Sequence, residues 1–223
     1  MVERLYDVVT FDCYGTLIDW EGGIGQAFAA EAVKIGHPVD TAAAVGLYVE
    51  VEAAVEKEGY RLYRDILAET ARRVAARLAW PLPAERAGFL AESLPAWPQF
   101  PDTNAALRRL AAAGYRLGIL SNVDDDLLVW SARFLAASFE IVITAQQVRS
   151  YKPASPHFVA ARAVIGGARW VHAAQSHYHD ITPCAALGIP AAWINRTHGA
   201  PSSPARALQT FPTLAGLADW LAP

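Results

Sequence analysis

The hydrophobic pattern of the chain is first that of a strand and then that of helices. Val8–Phe11 is an apolar, β-branched run, which is typical of a strand buried on both faces. Apolar residues are then spaced at helical intervals, which predicts helices over 21–36, 40–57, 60–79 and, more briefly, 83–94. Roughly seventy residues without a strand, placed after the first strand, predict an inserted helical cap domain.

Strands and helices alternate through the rest of the chain. Strands are predicted at 115–120, 139–143, 170–175 and 191–195, and helices at 101–114, 125–136, 156–166, 180–187 and 213–221. Residues 200–210 have the Pro and Ser content of a loop. Such alternation predicts an α/β protein with a mostly parallel sheet covered on both faces. We expect a core domain of residues 1–18 and 95–223 and a cap domain of residues 19–94.

Composition excludes several classes of protein. The chain has 223 residues, of which 53% are hydrophobic, and this excludes wholesale disorder. A net charge of −3 with dispersed Arg and Lys gives no reason to expect nucleic acid or an anionic membrane as a partner. Cys13 and Cys184 are too few for a disulfide framework and fit a reducing compartment. Without a leader pattern or a long apolar run, we expect a soluble, cytoplasmic chain.

Candidate chemistry begins at Asp12, which directly follows the first predicted strand. Gly15 allows the chain to turn sharply just beyond it. Because α/β proteins bind ligands at the carboxyl ends of parallel strands, Asp12 is a candidate functional carboxylate. The alternative is an Asp that caps the following turn.

Polar residues also follow later predicted strands. Ser121 and Asn122 end the second strand, Lys152 lies in a loop, and Asp180 follows the strand at 170–175. A lysine near Asp12 would keep it ionised and would neutralise an anionic substrate. The alternatives are turn residues for the Ser–Asn pair, a solvated surface lysine, and a helix N-cap for Asp180.

Four segments resemble, in order, the four motifs of the haloacid dehalogenase (HAD) superfamily. They are Asp12-Cys13-Tyr14-Gly15-Thr16-Leu17, Leu120-Ser121-Asn122, Tyr151-Lys152-Pro153 and His179-Asp180. The resemblance implies a doubly wound, Rossmann-like core with a helical cap. It also implies that Asp12 is a covalent nucleophile and that Thr16 positions it. Ser121 and Asn122 would then bind the substrate carboxylate or the developing ester oxygen, and Asp180 would orient Lys152 or a water.

Tyr14 stands where HAD phosphatases carry a second Asp, which protonates the leaving alkoxide. An unperturbed phenol titrates at about pH 10 and cannot easily take that role. A nucleophile without a partner acid suits a leaving group that needs no proton, such as halide or the protonated nitrogen of a strained cyclic amine. The 2-haloacid dehalogenase branch also resembles this chain in having Tyr here.

We predict no required metal and no cofactor. Mg²⁺ normally takes one or two carboxylates in an octahedral oxygen set, but Asp180 has no acidic neighbour in the sequence and Lys152 balances the charge better. His177 and His179, two positions apart and with no further His or Cys ligand, make a poor zinc site. One of them is a candidate base for the hydrolytic water or part of the substrate pocket, and packing is the alternative.

The chain departs from the better-known L-2-haloacid dehalogenases at several positions. That branch grips the substrate carboxylate with an Arg on an early cap helix, and the candidates here are Arg61 and Arg64. Trp20 is a candidate apolar wall, and Phe158 stands where that branch has Tyr. These departures make the chain resemble a subgroup that includes azetidine-2-carboxylate hydrolases.

We therefore predict a hydrolase that attacks a small 2-substituted carboxylic acid through an aspartyl ester. The first hypothesis is an (S)-2-haloacid dehalogenase. The alternatives are a ring-opening hydrolase of a cyclic amino acid, a small-molecule phosphatase, and a non-catalytic HAD-like binding module. The expected partner is the small-molecule substrate, and a homodimer is compatible with this branch although no segment demands one.

Overall fold

The computed structural model describes residues 4–223, so the first three residues of the predicted core domain lie outside the described part. The strands are β1 Val8–Phe11, β2 Arg116–Ser121, β3 Ile141–Thr144, β4 Trp170–Ala174, β5 Ala191–Ile194 and β6 Gln209–Phe211. They form one parallel sheet in the order β3-β2-β1-β4-β5-β6. The predicted α/β class with a mostly parallel sheet is confirmed.

The sheet order places β1 at the point where the winding reverses. Connections run from β1 outward to β3 on one side and from β4 outward to β6 on the other. Phe11 pairs in register with Ile119 of β2 and Ala173 of β4. The crevice beyond the carboxyl ends of β1 and β4 is therefore the switch point at which open α/β sheets bind ligands.

The sequence missed β6, because the loop predicted at 200–210 overlaps it. Gln209 and Thr210 are exposed, so the strand carries no buried alternation that a pattern could detect. Its backbone pairing with β5 at the edge of the sheet defines it.

The α/β unit contains the chain up to Ile18, Gln99–Asn122 and Arg133–Pro223. Its helices are α5 Thr103–Ala112, α7 Ala145–Val148, α8 Pro156–Ile165, α9 Thr182–Ala186 and α10 Leu214–Leu221, with a π-helical turn at His177–Ile181. Every residue of β1, β4 and β5 is buried. Each large apolar side chain removed from water here stabilises the unit by about 1.5–3 kcal/mol.

The helical unit contains Asp19–Pro98 and Val123–Ala132. Its helices are α1 Trp20–Ile35, α2 Thr41–Glu56, α3 Tyr63–Arg77, α4 Phe89–Ser93 and α6 Asp125–Ala132, with 3₁₀ turns at Ala84–Arg86 and Leu94–Ala96. Asp19 and Asp40 cap α1 and α2 by accepting the backbone N–H groups of Gly22 and Ala43. The domain prediction ended the cap at residue 94 and left α6 in the core.

The helical unit has an aromatic centre. The rings of Phe28, Trp80 and Phe89 lie with centroids 5.1 to 6.2 Å apart in tilted and edge-on arrangements.

Within residues 4–223, none of the helices has the length and apolar character needed to cross a membrane.

Candidate active site

Asp12 lies directly beyond β1 and its carboxylate is held by side chains. The residue is 7% exposed, and the Thr16 hydroxyl donates to Asp12 Oδ2 at 2.9 Å. The backbone N–H of Gln175 donates to Thr16 Oγ1 at 2.9 Å, so the hydroxyl hydrogen is left to point at Asp12. Gly15 follows with φ of 96°, a left-handed conformation that favours glycine. The carboxylate therefore accepts from side chains and does not simply cap the turn.

Lys152 lies between two carboxylates. Its Nζ donates to Asp12 Oδ1 at 2.9 Å, to Asp180 Oδ1 at 2.6 Å and to the Leu120 carbonyl at 2.8 Å. The side chain is 1% exposed, so it is not a solvated surface lysine. These three bonds use all three ammonium hydrogens.

The same arrangement bears on magnesium. The ammonium of Lys152 stands between the two carboxylates that a shared divalent cation would need. In residues 4–223 no cluster of three or more His, Cys, Asp and Glu side chains suits a metal ion. The donor set therefore fits an ammonium better than Mg²⁺, and a metal-free reaction stays a prediction.

The two carboxylates differ in acidity although both contact Lys152. Burial raises the pKa of Asp12 above its usual range, with Lys152 acting in the opposite direction and the charge of Asp180 adding to the rise. For Asp180, burial is outweighed by the Lys152 charge and the His172 hydrogen bond, which hold its pKa well below the usual range. Burial would lower the pKa of Lys152, but the two carboxylates raise it.

The Asn122 side chain binds the backbone of Lys152. Its Oδ1 accepts the Lys152 N–H at 2.7 Å, and its Nδ2 donates to the Lys152 carbonyl at 3.0 Å. The amide that was predicted to bind substrate thus holds the lysine loop in place. Ser121 differs, because its buried Oγ has no hydrogen-bond partner in the described part of the chain, which leaves its hydrogen-bonding capacity unused.

Asp180 belongs to the π-helical turn at His177–Ile181 and does not cap α9. Its Oδ1 accepts from Lys152 and lies 3.0 Å from His172 Nε2. The alternative of an N-cap is therefore excluded.

The predicted substrate-binding residues of the helical unit have partners within that unit. Arg61 donates to Glu58 at 2.9 Å, and Arg64 pairs with Asp124 and Asp126. The Trp20 ring lies 5.8 Å from the Tyr48 ring. Both guanidinium groups are thus already paired with carboxylates of the protein. That either Arg binds the substrate carboxylate stays a prediction.

His177 and His179 both have hydrogen-bond partners within the α/β unit. His177 has Nδ1 3.1 Å from Ser202 Oγ and Nε2 3.2 Å from the Ala205 carbonyl. With both ring nitrogens occupied, His177 suits packing better than the predicted substrate contact. His179 contacts Ser176 Oγ at 3.0 Å, and burial lowers its pKa. Tyr14 is partly buried in the turn after β1, where it bridges to Ile18.

Sequence reasoning missed residues that touch this cluster. Thr10 and His172 lie inside the predicted strands at 8–11 and 170–175, and a polar residue within a buried strand is a detectable signal. Arg196 follows β5, and the strand-end rule applied to that strand would have found it. Its guanidinium donates to the Thr16 carbonyl at 2.9 Å, pairs with Asp102 at 3.1 Å and lies 3.9 Å from the centre of the Phe100 ring.

The fold and the site together define a class: an α/β protein with a buried carboxylate–lysine–carboxylate cluster at the switch point of a parallel sheet. Residues 6–175 match the family model of haloacid dehalogenase-like hydrolases. The chain belongs to this family, which confirms the superfamily resemblance seen in the four motifs.

Individual proteins are similar over nearly the whole chain. An (S)-2-haloacid dehalogenase of Pseudomonas fluorescens is 26% identical over 236 residues, covering 95% of this chain and 94% of that protein. One from Pseudomonas putida is 26% identical over 235 residues, covering 96% and 95%. The crystal structure of the L-2-haloacid dehalogenase RSc1362 has a TM-score of 0.84 at 22% identity, covering 98% of this chain and 99% of that one.

Proposed function

We propose that this protein is an (S)-2-haloacid dehalogenase acting through a covalent ester on Asp12. The observation that carries the proposal is the Lys152 ammonium bound to both Asp12 and Asp180, with Tyr14 where a phosphatase would carry a proton donor. Such a site has a nucleophile but no carboxylic acid at position 14 to protonate the leaving group of the first step, which suits a halide. The two Pseudomonas relatives named (S)-2-haloacid dehalogenase support the same substrate class.

In the first step an oxygen of Asp12 attacks C2 of the haloacid from the side opposite the halogen. The C–O ester bond forms as the carbon–halogen bond breaks, and the halide leaves with the bonding pair. The raised pKa of Asp12 makes this carboxylate the more basic of the two and hence the better nucleophile. Ser121 Oγ, which lacks a partner among residues 4–223, is our candidate donor to the substrate.

In the second step water attacks the ester carbonyl carbon of Asp12. One water proton passes to Asp180, the bond between that carbon and the alkyl oxygen breaks, and the departing alkoxide takes up the proton. The remaining proton is released to solvent, so haloacid and water give a 2-hydroxy acid, halide and one proton. Attack opposite the halogen converts an (S)-haloacid into an (R)-hydroxy acid. Lys152 stays charged throughout: it balances both carboxylates before the first step and Asp180 while Asp12 is an ester.

The test is single-turnover hydrolysis of (S)-2-chloropropionate in ¹⁸O-labelled water with EDTA present. We expect stoichiometric chloride release, label in the peptide containing Asp12 and none in the first hydroxy acid formed. The (R)-enantiomer serves as the matched control and should release no chloride. Label in the first product with none in Asp12 would contradict the covalent mechanism. Loss of activity with EDTA would contradict a metal-free reaction.

A second candidate, ring-opening of a cyclic amino acid, is favoured by Glu52 in the helical unit. The hydroxyls of Tyr48 and Tyr63 both donate to Glu52 Oε1 at 2.7 Å. No Lys, Arg or His forms an ion pair with Glu52 in the described residues, and burial raises its pKa. A carboxylate held among aromatic rings without a cation partner suits an ammonium group, which a cyclic amino acid carries and a haloacid lacks.

This candidate is tested by comparing azetidine-2-carboxylate with its carbocyclic isostere, cyclobutanecarboxylate, in equilibrium binding. Glu52→Gln keeps an oxygen that accepts both tyrosine hydroxyls and removes only the charge. If the second candidate holds, the wild type prefers the amine by about tenfold or more and Glu52→Gln loses the preference. Glu50→Gln, on the same helix but exposed and paired with Arg77, is the matched control. Equal binding of both ligands to the wild type would remove this candidate.

The remaining assignments are proposals of the same kind. A phosphatase is disfavoured by Tyr14, and a binding module by the joint presence of Asp12, Thr16, Lys152 and Asp180. We propose a cytoplasmic location, supported by two free, buried cysteines. A small carboxylic acid is the proposed partner, without nucleic acid or membrane, and a homodimer is compatible with the family.

A further inference from the structure

A buried imidazole stands behind Asp180. His172 lies in the middle of β4 and is 0% exposed, and its Nε2 is 3.0 Å from Asp180 Oδ1. Its Nδ1 is 2.8 Å from the hydroxyl of Thr10, on the neighbouring strand β1. The Phe158 ring packs edge-on against the imidazole with centroids 5.6 Å apart. Packing therefore fixes the plane of the ring, and hydrogen bonds occupy both nitrogens.

The direction of these hydrogen bonds follows from what each group can do. The Trp170 indole N–H can only donate, and it donates to Thr10 Oγ1 at 2.7 Å. Thr10 keeps its own hydrogen, which it can donate to His172 Nδ1. Ionised Asp180 can only accept, so the proton of the imidazole belongs on Nε2. The chain of bonds thus runs one way, from Trp170 through Thr10 and His172 to Asp180.

The consequence for Asp180 is an unequal use of its two oxygens. Oδ1 accepts from both Lys152 and His172, whereas buried Oδ2 has no partner in the part of the chain described. Two fixed donors on one oxygen hold the carboxylate against rotation. The other oxygen, Oδ2, keeps its full capacity to accept a hydrogen bond.

We propose that His172 is a positioning residue for the second step of the reaction, holding Asp180 by Oδ1 so that Oδ2 receives the water proton. This inference rests on the proposed function, because it assigns a role in hydrolysis of the Asp12 ester. The first step uses Asp12 and Lys152 directly and does not need a base. Loss of His172 should therefore slow ester hydrolysis more than halide release.

The experiment is rapid-mix kinetics of His172→Leu, which removes the ring nitrogens and keeps an apolar side chain in the buried strand. We expect a burst of about one chloride per enzyme from (S)-2-chloropropionate, then steady turnover slower by about tenfold or more, with KM falling alongside kcat. Intact mass should show the ester on Asp12. Equal slowing of burst and turnover without the ester would indicate a merely structural role and overturn the proposal.

Two further variants make the result specific. His172→Gln places an amide N–H toward Asp180 and should restore turnover to within a few-fold of wild type while removing the accumulated ester. Trp170→Phe removes a donor two links away and leaves the His172–Asp180 bond, so no ester should accumulate. Failure of the Gln variant to restore turnover, when it is folded, would count against a positioning role.

A measurement without substrate separates this inference from the proposed function. ¹⁵N NMR of the imidazole should show His172 protonated on Nε2, with Nδ1 as an acceptor. The opposite tautomer would overturn the inference even in an active dehalogenase. The expected tautomer in a protein that releases no halide would leave the hydrogen-bond chain in place and refute the proposed function instead.

Discussion

At the scale of single residues, the roles of Asp12 and Asp180 are separated by their surroundings. Both are buried and both contact the same ammonium. Burial acts to raise the pKa of both carboxylates. For Asp180 it is outweighed by the Lys152 charge and the His172 hydrogen bond, so the pKa falls, whereas for Asp12 burial outweighs Lys152 and the Thr16 hydroxyl, so the pKa rises. The less stabilised carboxylate is the more basic one. The assignment of the nucleophile to Asp12 thus agrees with its local chemistry.

Asp12→Asn should lower turnover by about a thousandfold or more, because a neutral amide oxygen cannot displace halide. The side chain keeps its shape, so far-UV circular dichroism should remain that of the wild type. Chloride release and mass spectrometry, which excludes deamidation back to Asp, are the measurements. Retained turnover of the intact amide would show that another group is the nucleophile.

Lys152→Met should destabilise the protein by about 3–5 kcal/mol, because it leaves two buried carboxylates without their cation. The loss should shrink as the pH is lowered, since protonation neutralises these carboxylates. Lys34→Met removes an exposed lysine that pairs with Glu31 at 3.4 Å, and should cost about 1 kcal/mol or less in denaturant titrations. Similar losses for the two variants would contradict the buried cluster.

The pH dependence of kcat/KM should report the ionisation of Asp12. Its carboxylate form is the nucleophile, so activity falls as the pH drops through a pKa that lies above that of a free aspartate. Because Lys152 acts to lower this pKa, Lys152→Met should move the acid limb to higher pH. A limb at the same pH in both proteins would make Lys152 a bystander to Asp12.

At the scale of elements, the site depends on how the loop that carries Lys152 is fastened to β2. The Asn122 side chain binds both the backbone N–H and the carbonyl of Lys152, and so helps to hold the lysine within hydrogen-bond distance of Asp12. Arg196, beyond β5, fastens the opposite side by binding the Thr16 carbonyl. These hydrogen bonds do not involve the reacting atoms themselves, but they hold the segments that carry Lys152 and Thr16 in place around Asp12.

Asn122→Ala should lower kcat markedly while KM changes little, and should cost about 1–3 kcal/mol of stability. Asn104→Ala is the matched control, because Asn104 also binds two backbone groups, the Phe134 carbonyl and the Ala136 N–H. The control should lose similar stability in denaturant titrations and keep its kcat. An equal fall in kcat for both variants would indicate a general effect on folding.

At the scale of the whole molecule, the parallel sheet decides where the chemistry is. Asp12 and Asp180 follow β1 and β4, the two strands that flank the reversal of winding, and their carboxylates meet at Lys152. The order of the strands thus brings Lys152 into contact with Asp12 and Asp180, which lie 140 and 28 positions away from it in the chain. The site therefore exists only when the α/β unit is folded.

Cys13 and Cys184 offer a probe of that unit. Both are free and fully buried, and burial raises the pKa of both thiols. Iodoacetamide should therefore leave the native protein unmodified, and labelling should follow the unfolding curve of the α/β unit in denaturant. Rapid labelling of both thiols in native buffer would contradict this packing.

Local pattern was enough to predict the fold class and the strands near whose ends Asp12, Ser121 and Asp180 lie, and it left Lys152 in a loop. Apolar runs, helical spacing and turn residues reflect short-range requirements of backbone and burial, which each segment carries in its own residues. The edge strand β6 lay beyond this reasoning, because its pairing with β5 defines it and its exposed residues carry no pattern.

Tertiary structure alone decided what each polar side chain contacts. The Asn122 side chain binds the backbone of Lys152, and the His177 ring contacts Ser202. Arg61 and Arg64 form ion pairs with carboxylates of the helical unit. His172 and Thr10 became part of the site from inside strands. Hydrogen bonds and ion pairs need atoms within about 3 Å, and such distances between remote residues arise only when the chain has folded.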